Sequence, residues 1–210
     1  TVTLAGDDYH TGAATYTGGS FSITGTDPEF KTTDLAIEFA AADSTGGDVT
    51  LADAADLSVA TGTGSITFGG DILGTDNGVA TDVVLDSSGT VSVKSIGANG
   101  STADGNINDV TIDGSTITLN GTISTAVLGG TGATKATDLG VVDINGNVAL
   151  GGSTTIDTSA TGNDAEINIS GTVDNGQALV IKSGGGAVVI GNKIGCLLYT
   201  SPSPRDRYGS

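Results

Sequence analysis

The one histidine of the chain, His10, stands beside three side chains that could take part in proton transfer or metal binding: Asp7, Asp8 and Tyr9. An imidazole next to carboxylates exchanges protons near neutral pH and is a common metal ligand. The chain has one His and one Cys, so it lacks the ligands of a usual zinc site. In this Gly-flanked stretch an isolated His is more often a solvated turn residue, and we expect that role for His10.

Paired carboxylates could serve a polysaccharide hydrolase or lyase built on a β-helix. The candidate pairs are Asp7 with Asp8 and Asp53 with Asp56. An enzyme of this kind that acts on acidic polysaccharides also needs Arg or Lys to stabilise developing charge. Residues 1–195 contain no Arg and five Lys, and Asp at turns commonly bonds the local backbone. We therefore expect no enzymatic activity and assign no catalytic residue.

Residues 129–135 (GGTGATK) have the composition of a phosphate-binding loop. The residue before Lys135 is Thr134, where the phosphate-binding motif requires Gly, and no helical pattern follows. The chain also has no Gly-x-Ser-x-Gly motif to present a nucleophilic serine. The stretch predicts a loop, and we assign no cofactor-binding residue.

Calcium is the cation that this chain suits best, because its formal net charge is −17. Asp-rich turns can bind hard cations through carboxylates and backbone carbonyls. The calcium-binding nonapeptide Gly-Gly-x-Gly-x-Asp is not repeated. Residues 46–48 and 69–71, both Gly-Gly-Asp, are fragments of it. Weak surface calcium binding stays open, with no metal ligand assigned.

Thr-x-Thr segments are typical of the flat faces of ice-binding solenoids. Examples in this chain are residues 1–3, 15–17, 61–63 and 116–118. Their separations are irregular, so we expect no single regular row of hydroxyls, and ice binding is kept as an alternative.

The composition predicts an all-β fold. The chain has 35 Gly, 15% charged residues and 4% aromatic residues. β-branched residues favour strands, whereas Gly, Asn and Asp favour tight turns. The acidic surface repels nucleic acid and anionic membranes. No apolar run reaches the roughly 18 residues of a transmembrane helix, so we expect neither nucleic-acid binding nor membrane insertion in this segment.

Apolar and polar residues alternate in short runs, which predicts strands with one buried face. Most runs end in a turn signal, such as Asp113-Gly114, Asn120-Gly121, Asn145-Gly146 or Asn175-Gly176. Residues 34–56 are ambiguous, because their Ala runs could form helical turns. The alternation of Leu35, Ile37 and Phe39 favours strands there.

An internal repeat relates residues 57–97 to residues 155–195. The ends of the two copies are 98 residues apart, and Ile66 and Ile96 align with Ile167 and Ile194. A repeat of this length covers several structural turns, which is typical of a duplicated module in an array.

The repeats contain Gly-x-Gly followed by Ile-Thr-Phe-Gly-Gly, then an Ile-Leu-Gly-Thr or Val-Asp-Asn-Gly turn, a Leu-Val-Ile strand and a closing Ile-Gly. Over about residues 49–195 this pattern resembles the repeats of filamentous-haemagglutinin-type and autotransporter-type adhesins. The resemblance implies a right-handed parallel β-helix that is displayed outside the cell. It implies no functional residue, because these repeats have no catalytic motif to match.

Tandem antiparallel β-sandwich repeats, stiffened by calcium and acting as a binding module, are the alternative. Asn-Gly and Asp-Gly between alternating runs, as in residues 111–123, are hairpin signals. Runs of three to five residues are short for a sandwich but normal for a solenoid turn. We therefore favour the solenoid, with turns of roughly 20–25 residues.

Residues 196–210 differ from the rest of the chain and hold its only Cys, both Arg and two of its three Pro. From Cys196 to Asp206 they resemble the translation of a transposase adapter used in DNA library preparation. We expect a non-native, disordered tail there, with a biological Ser/Pro linker as the alternative. Residues 1–195 are then the repetitive β-solenoid, with 23 acidic side chains and five Lys.

The chain has no Met, so we expect an internal fragment whose export signal and anchor lie outside it. The predicted function is a structural or adhesive stalk segment of a large secreted bacterial surface protein, serving attachment or biofilm formation. Its partners would be neighbouring repeats of the same chain and an unidentified surface, carbohydrate or protein receptor. The expected location is extracellular, at the cell surface.

Overall fold

The computed structural model describes residues 1–42, 46–52, 54–74, 81–97, 107–125, 140–159 and 165–195. Residues 129–135 and 196–210, for which a loop and a non-native tail are predicted, lie outside this part. No helix in the described part is long and apolar enough to cross a membrane.

The described residues form short strands joined by turns, as the composition predicts. The strands are β1 (Val2–Leu4), β2 (Asp8–His10), β3 (Ala14–Gly18), β4 (Ser20–Ile23), β5 (Glu29–Thr32), β6 (Ile37–Ala41), β7 (Asp48–Leu51), β8 (Leu57–Ala60), β9 (Ile66–Phe68), β10 (Ile72–Gly74), β11 (Val83–Asp86), β12 (Thr90–Val93), β13 (Val110–Leu119), β14 (Thr122–Ser124), β15 (Val142–Leu150), β16 (Thr154–Asp157), β17 (Ile167–Ile169), β18 (Val173–Asp174), β19 (Leu179–Lys182) and β20 (Val188–Ile190).

The strands stack on three faces that the chain visits in a fixed order. Face 1 contains β1, β4, β7 and β10, and further along β14, β16 and β19. Ile96 joins the two groups, because it bridges to Ile72 on one side and to Ile123 on the other. Face 2 contains β2, β5, β8, β11, β17, β20 and the first halves of β13 and β15. Face 3 contains β3, β6, β9, β12, β18 and the second halves of β13 and β15.

Every pair of strands described above is parallel, which confirms the predicted β-solenoid and makes the antiparallel sandwich wrong. The hairpin signals mark corners instead. Asp113-Gly114 lies inside β13, where the strand crosses from face 2 to face 3, and Asn120-Gly121 links face 3 to face 1. The right-handed coil of the prediction agrees with the general rule for parallel crossover connections.

The alternation seen in the sequence places an apolar stripe of most strands in a continuous core. Ile37 and Phe39 are fully buried in β6, so the strand interpretation is confirmed for residues 37–41, and β7 confirms it for residues 48–51. Leu35 is 40% exposed and precedes the strand, so its place in the alternation was wrong. Tyr16, Phe39 and Phe68 stack face to face, with 4.8 Å between successive ring centroids.

The turns vary in length more than the predicted 20–25 residues. Registered partners on face 2 are 21 residues apart between Ile169 and Ile190, and 32 apart between Ile112 and Ile144. The register is nevertheless kept, because the inward apolar positions must coincide for the core to close. The additional residues of the longer turns lie in the connections between strands.

The two sequence copies are displaced by one face in the coil. Ile66 lies in β9 on face 3, whereas its counterpart Ile167 lies in β17 on face 2. Ile96 bridges on face 1, whereas its counterpart Ile194 bridges to Val173 on face 3. The 98-residue offset is therefore not a whole number of turns.

Candidate functional site

A ladder of aspartates joins consecutive turns of the solenoid. Asp56, Asp82 and Asp109 each precede a face 2 strand. The Asp56 Oδ1 accepts the backbone N–H of Asp82 at 2.7 Å, and the Asp82 Oδ1 accepts that of Asp109 at 3.0 Å. The Asp109 Oδ1 accepts the N–H of Val141 at 2.7 Å. These carboxylates were expected to bond their own turn, but they bond the next turn.

The pairing of Asp53 with Asp56 stays a prediction, because Asp53 lies outside the described residues. Burial raises the pKa of the Asp56 carboxyl above its ordinary value of 3.8. The N–H of Asp82 lowers that pKa, whereas the charges of Asp82 and Asp27 raise it further. The net effect is a raised pKa of Asp56. The backbone N–H donors stabilise a column of carboxylates that carry like charges.

His10 lies in strand β2 and is half-buried, not in a solvated turn as expected. Its Nε2 is 3.0 Å from the Tyr16 hydroxyl and 3.1 Å from the Asp8 Oδ1. Tyr16 donates its hydroxyl hydrogen to the Asp8 Oδ2 at 2.8 Å. The Tyr16 oxygen therefore accepts from His10, which requires the hydrogen to be on Nε2.

The Asp8, His10 and Tyr16 cluster sits on the inward side of the coil. Asp8 and His10 are registered with Phe30 and Thr32, which are both buried. Burial and the carboxylate of Asp8 raise the pKa of the Tyr16 hydroxyl. The cluster is thus a hydrogen-bonded polar layer against the aromatic core. The Tyr16 hydroxyl hydrogen and the His10 Nε2 hydrogen both bond to other members of the cluster.

The predicted pair Asp7 and Asp8 is divided between two environments. Asp7 Oδ1 accepts the N–H of Glu29 at 3.0 Å, whereas Asp8 contacts Tyr16 and His10. The two carboxyl groups therefore do not face one substrate position. Next to Asp7, Tyr9 donates to the Glu29 Oε2 at 2.7 Å, and this bond is the main cause that raises the pKa of Tyr9 to about 12.

The two Gly-Gly-Asp segments stack directly on each other. The Asp48 Oδ1 accepts the N–H of Asp71 at 2.9 Å. A Cβ on Gly70 would lie 2.2 Å from the carbonyl carbon of Gly47, so the backbones are in contact and Gly is required. These segments therefore have a structural explanation that needs no cation.

Two of the lysines pair with acids one turn away. The Lys182 Nζ is 3.2 Å from the Asp157 Oδ2, and these residues are registered partners on face 1. Burial raises the pKa of Asp157, but bonds from Ser159 and Lys182 outweigh burial and lower it below 3.8. Lys94 lies 3.7 Å from the Asp71 Oδ1. Each pair connects one turn to the next.

Sequence reasoning missed a column of buried hydroxyls at the corner between faces 2 and 3. Thr32, Thr61 and Ser87 are each at most 3% exposed. The Thr61 hydroxyl donates to the carbonyl of Gly64 at 2.7 Å, and the Ser87 hydroxyl donates to the same carbonyl. Their sequence signal is parity, since each stands two positions after an inward apolar residue.

Of these Thr-x-Thr segments, residues 15–17 and 116–118 both lie on face 3, but Glu38 stands between Thr15 and Thr67 in the register there, so the two segments do not form one continuous row of hydroxyls. Residues 116–118 nevertheless belong to a regular array on face 3. Thr118 is registered with Ser92 and Ser92 with Thr67, while Thr116 is registered with Thr90. Hydroxyl side chains therefore line the outer side of three consecutive turns.

Among the described residues, no group of three or more His, Cys, Asp or Glu side chains is arranged to hold a metal ion. Weak calcium binding stays a prediction. Comparison of the chain with protein-family models, with curated proteins and with solved structures found no match.

Proposed function

We propose that this chain is a stalk segment of a large secreted bacterial surface protein, which holds an attachment site away from the cell. The proposal is supported above all by the use of polar side chains. Asp56, Asp82 and Asp109 all bond the backbone of the following turn. Side chains that an enzyme would present to a substrate here connect one turn to the next.

The core supports the same role. Most inward positions hold Val, Ile, Leu or Phe, and Ile66, Val91 and Ile117 are fully buried on successive turns of face 3. In a solenoid each turn is stabilised mainly by its neighbours, so length can increase without changing the cross-section. A stalk requires this property.

The charge distribution suits a crowded exterior. The chain carries a formal net charge of −17. Strong like charge keeps rods apart in solution and reduces non-specific association.

The direct test is location and attachment in the organism that carries the gene. Antibodies against the purified chain should label intact cells, and in-frame deletion of the segment should reduce attachment to surfaces while the rest of the protein is still exported. A deletion of equal length in another protein of the cell surface provides the control. Labelling only after cell lysis would overturn the proposal.

Ice binding is a second candidate, and the hydroxyl array on face 3 favours it. The spacing of the array is about 4.8 Å between turns and about 6.7 Å along the strand. Thermal hysteresis of the purified chain would test it, with Thr116→Lys as the variant and Thr111→Lys on face 2 as the control. Ice binding requires hysteresis that falls only in the face 3 variant.

A further inference from the structure

Five Asn-Gly dipeptides occur in the chain, and three lie in the described residues: Asn120-Gly121, Asn145-Gly146 and Asn175-Gly176. An Asn before Gly is chemically labile, because Gly has no Cβ to hinder its own amide nitrogen. The three dipeptides have the same sequence, so a difference in their rates of reaction must come from their different structural environments.

The reaction needs water as the only co-reactant. The deprotonated amide nitrogen of Gly attacks the side-chain Cγ of Asn, a C–N bond forms, the Cγ–Nδ2 bond breaks and ammonia leaves. Water then opens the cyclic imide at either carbonyl, which yields aspartate or isoaspartate. The attack requires that the backbone between the two residues can move.

Asn145-Gly146 cannot move in the folded chain. Both residues lie inside β15, and Asn145 is registered with Asp113 of the preceding turn. A Cβ on Gly146 would lie 1.8 Å from the carbonyl oxygen of Gly114, so the two backbones are in close contact.

Asn120-Gly121 is restrained less strongly. Asn120 is exposed, but a Cβ on Gly121 would lie 2.8 Å from the carbonyl oxygen of Lys94. The next residue, Thr122, begins β14. The backbone of Asn120-Gly121 is therefore held against the preceding turn.

Asn175-Gly176 differs from both. The two residues are exposed and lie between β18 and β19. Asn175 has a φ of 97° and Gly176 a φ of 65°. A non-Gly residue at such a φ is strained. Within the described residues neither the Gly176 N–H nor the Gly121 N–H donates to an acceptor. The left-handed backbone of both Asn175 and Gly176 therefore distinguishes this site from Asn120-Gly121.

We propose that Asn175 is a site of spontaneous deamidation in the folded protein, reacting before Asn120 and Asn145. The product has a structural effect. The Asn175 Nδ2 donates to the carbonyl oxygen of Leu150, 25 residues earlier, at 3.1 Å. Deamidation replaces this donor by a carboxylate, which cannot donate to Leu150 and stands next to Asp174. The turn that carries β18 and β19 then loosens from the turn below.

The test is ageing of the full chain at neutral pH, followed by peptide mapping with detection of isoaspartate. Asn175 should convert at least about tenfold faster than Asn145, which corresponds to about 1.4 kcal/mol in the barrier. In concentrated urea the two sites should convert at similar rates, because the fold no longer distinguishes them. Equal rates in the folded chain, or faster conversion at Asn145, would overturn the proposal.

Two variants separate the reaction from its effect. Asn175→Gln should stop conversion in that peptide, because the six-membered ring that Gln would need forms far more slowly. Asn175→Asp should speed hydrogen exchange in β18 and β19, whereas Asn120→Asp should leave these two strands unchanged. Unchanged exchange in the Asn175→Asp chain would refute the loosening.

Discussion

The Asp82 carboxylate accepts the backbone N–H of Asp109, a residue 27 positions later, at 3.0 Å. The same oxygen accepts the Asn108 Nδ2 at 3.1 Å. Asp82 therefore binds two groups of the following turn. The solenoid uses this relationship repeatedly to join consecutive turns.

Asp82→Ala should destabilise the chain by about 1–3 kcal/mol, because two donors of the next turn lose their acceptor. Asp82→Asn keeps an acceptor oxygen and removes a like charge beside Asp56, so its stability should stay near that of the parent. Urea denaturation followed by circular dichroism measures both. Asp113→Ala, on the outer side of β13, is the control. Equal loss in the Ala and Asn variants would contradict the ladder.

Lowering the pH should change the contributions of Asp56 and Asp157 to the stability of the fold in opposite directions. The pKa of Asp56 is raised in the folded chain, so its contribution to stability is complete below pH 3.8 and is lost as the pH rises through the raised value. The pKa of Asp157 is lowered, so its contribution is present above pH 3.8 and is lost as the pH falls through the lowered value.

The corresponding measurement is the urea midpoint against pH in two variants. Asp56→Asn should be most favourable relative to the parent at neutral pH and lose that advantage in acid. Asp157→Asn should be destabilising at neutral pH and approach the parent in acid. Parallel pH profiles of both variants would show that these carboxyl groups do not contribute as described.

Thr61 and Ser87 should be energetically coupled, because both hydroxyls donate to the carbonyl of Gly64. Either Thr61→Val or Ser87→Ala leaves one donor in place. The double variant leaves the carbonyl without a hydroxyl donor and should cost more than the sum of the single changes, by about 0.5–1 kcal/mol. A double-mutant cycle in urea measures this, and strict additivity would rule out a shared acceptor.

Phe39→Ala should cost about 3–5 kcal/mol, because the ring is fully buried between Tyr16 and Phe68. Phe39→Leu should cost less, since it keeps most of the apolar volume. Tyr9, which is 60% exposed, provides a control as Tyr9→Ala. Thermal unfolding distinguishes the three variants. A loss for Phe39→Ala no larger than that of the control would mean that the stack adds little.

Gly146→Ala should be among the most damaging single methyl additions, at about 3 kcal/mol or more, because the new Cβ meets the Gly114 oxygen at 1.8 Å. Gly19→Ala meets nothing within 4 Å and should be close to neutral. Urea denaturation measures the stability of both variants, and because each adds one methyl group to a glycine, any difference between them comes from the surroundings. Similar stabilities would show that the turns can separate locally at little cost.

The strands could be predicted from the sequence because their information is local. Ile66 and Phe68 flank Thr67, and this alternation alone places two side chains in the core. The corners at Asp113-Gly114 and Asn120-Gly121 were also recognised as breaks. Their use as corners of a coil, and not as hairpins, depends on the stacking of turns.

The ladder could not be predicted, because its partners are set by register. Asp56, Asp82 and Asp109 are 26 and 27 residues apart, and nothing within either interval marks them as neighbours. His10 was misplaced for the same reason, since its inward position is fixed by pairing with Thr32 in β5. Once the turn lengths are known, the aspartate ladder and the inward position of His10 both follow from the alternation of side chains along each strand.

The unequal turn lengths have a practical consequence for protein engineering. The chain passes from Ser124 on face 1 to Val142 on face 2, a longer connection than that from Gly74 to Val83, yet the strands on either side keep their register. Closing a longer connection costs little extra entropy, about 0.6 kcal/mol for each doubling of length. This corner is therefore suited to carrying grafted epitopes or reporter peptides at regular heights along a rigid scaffold.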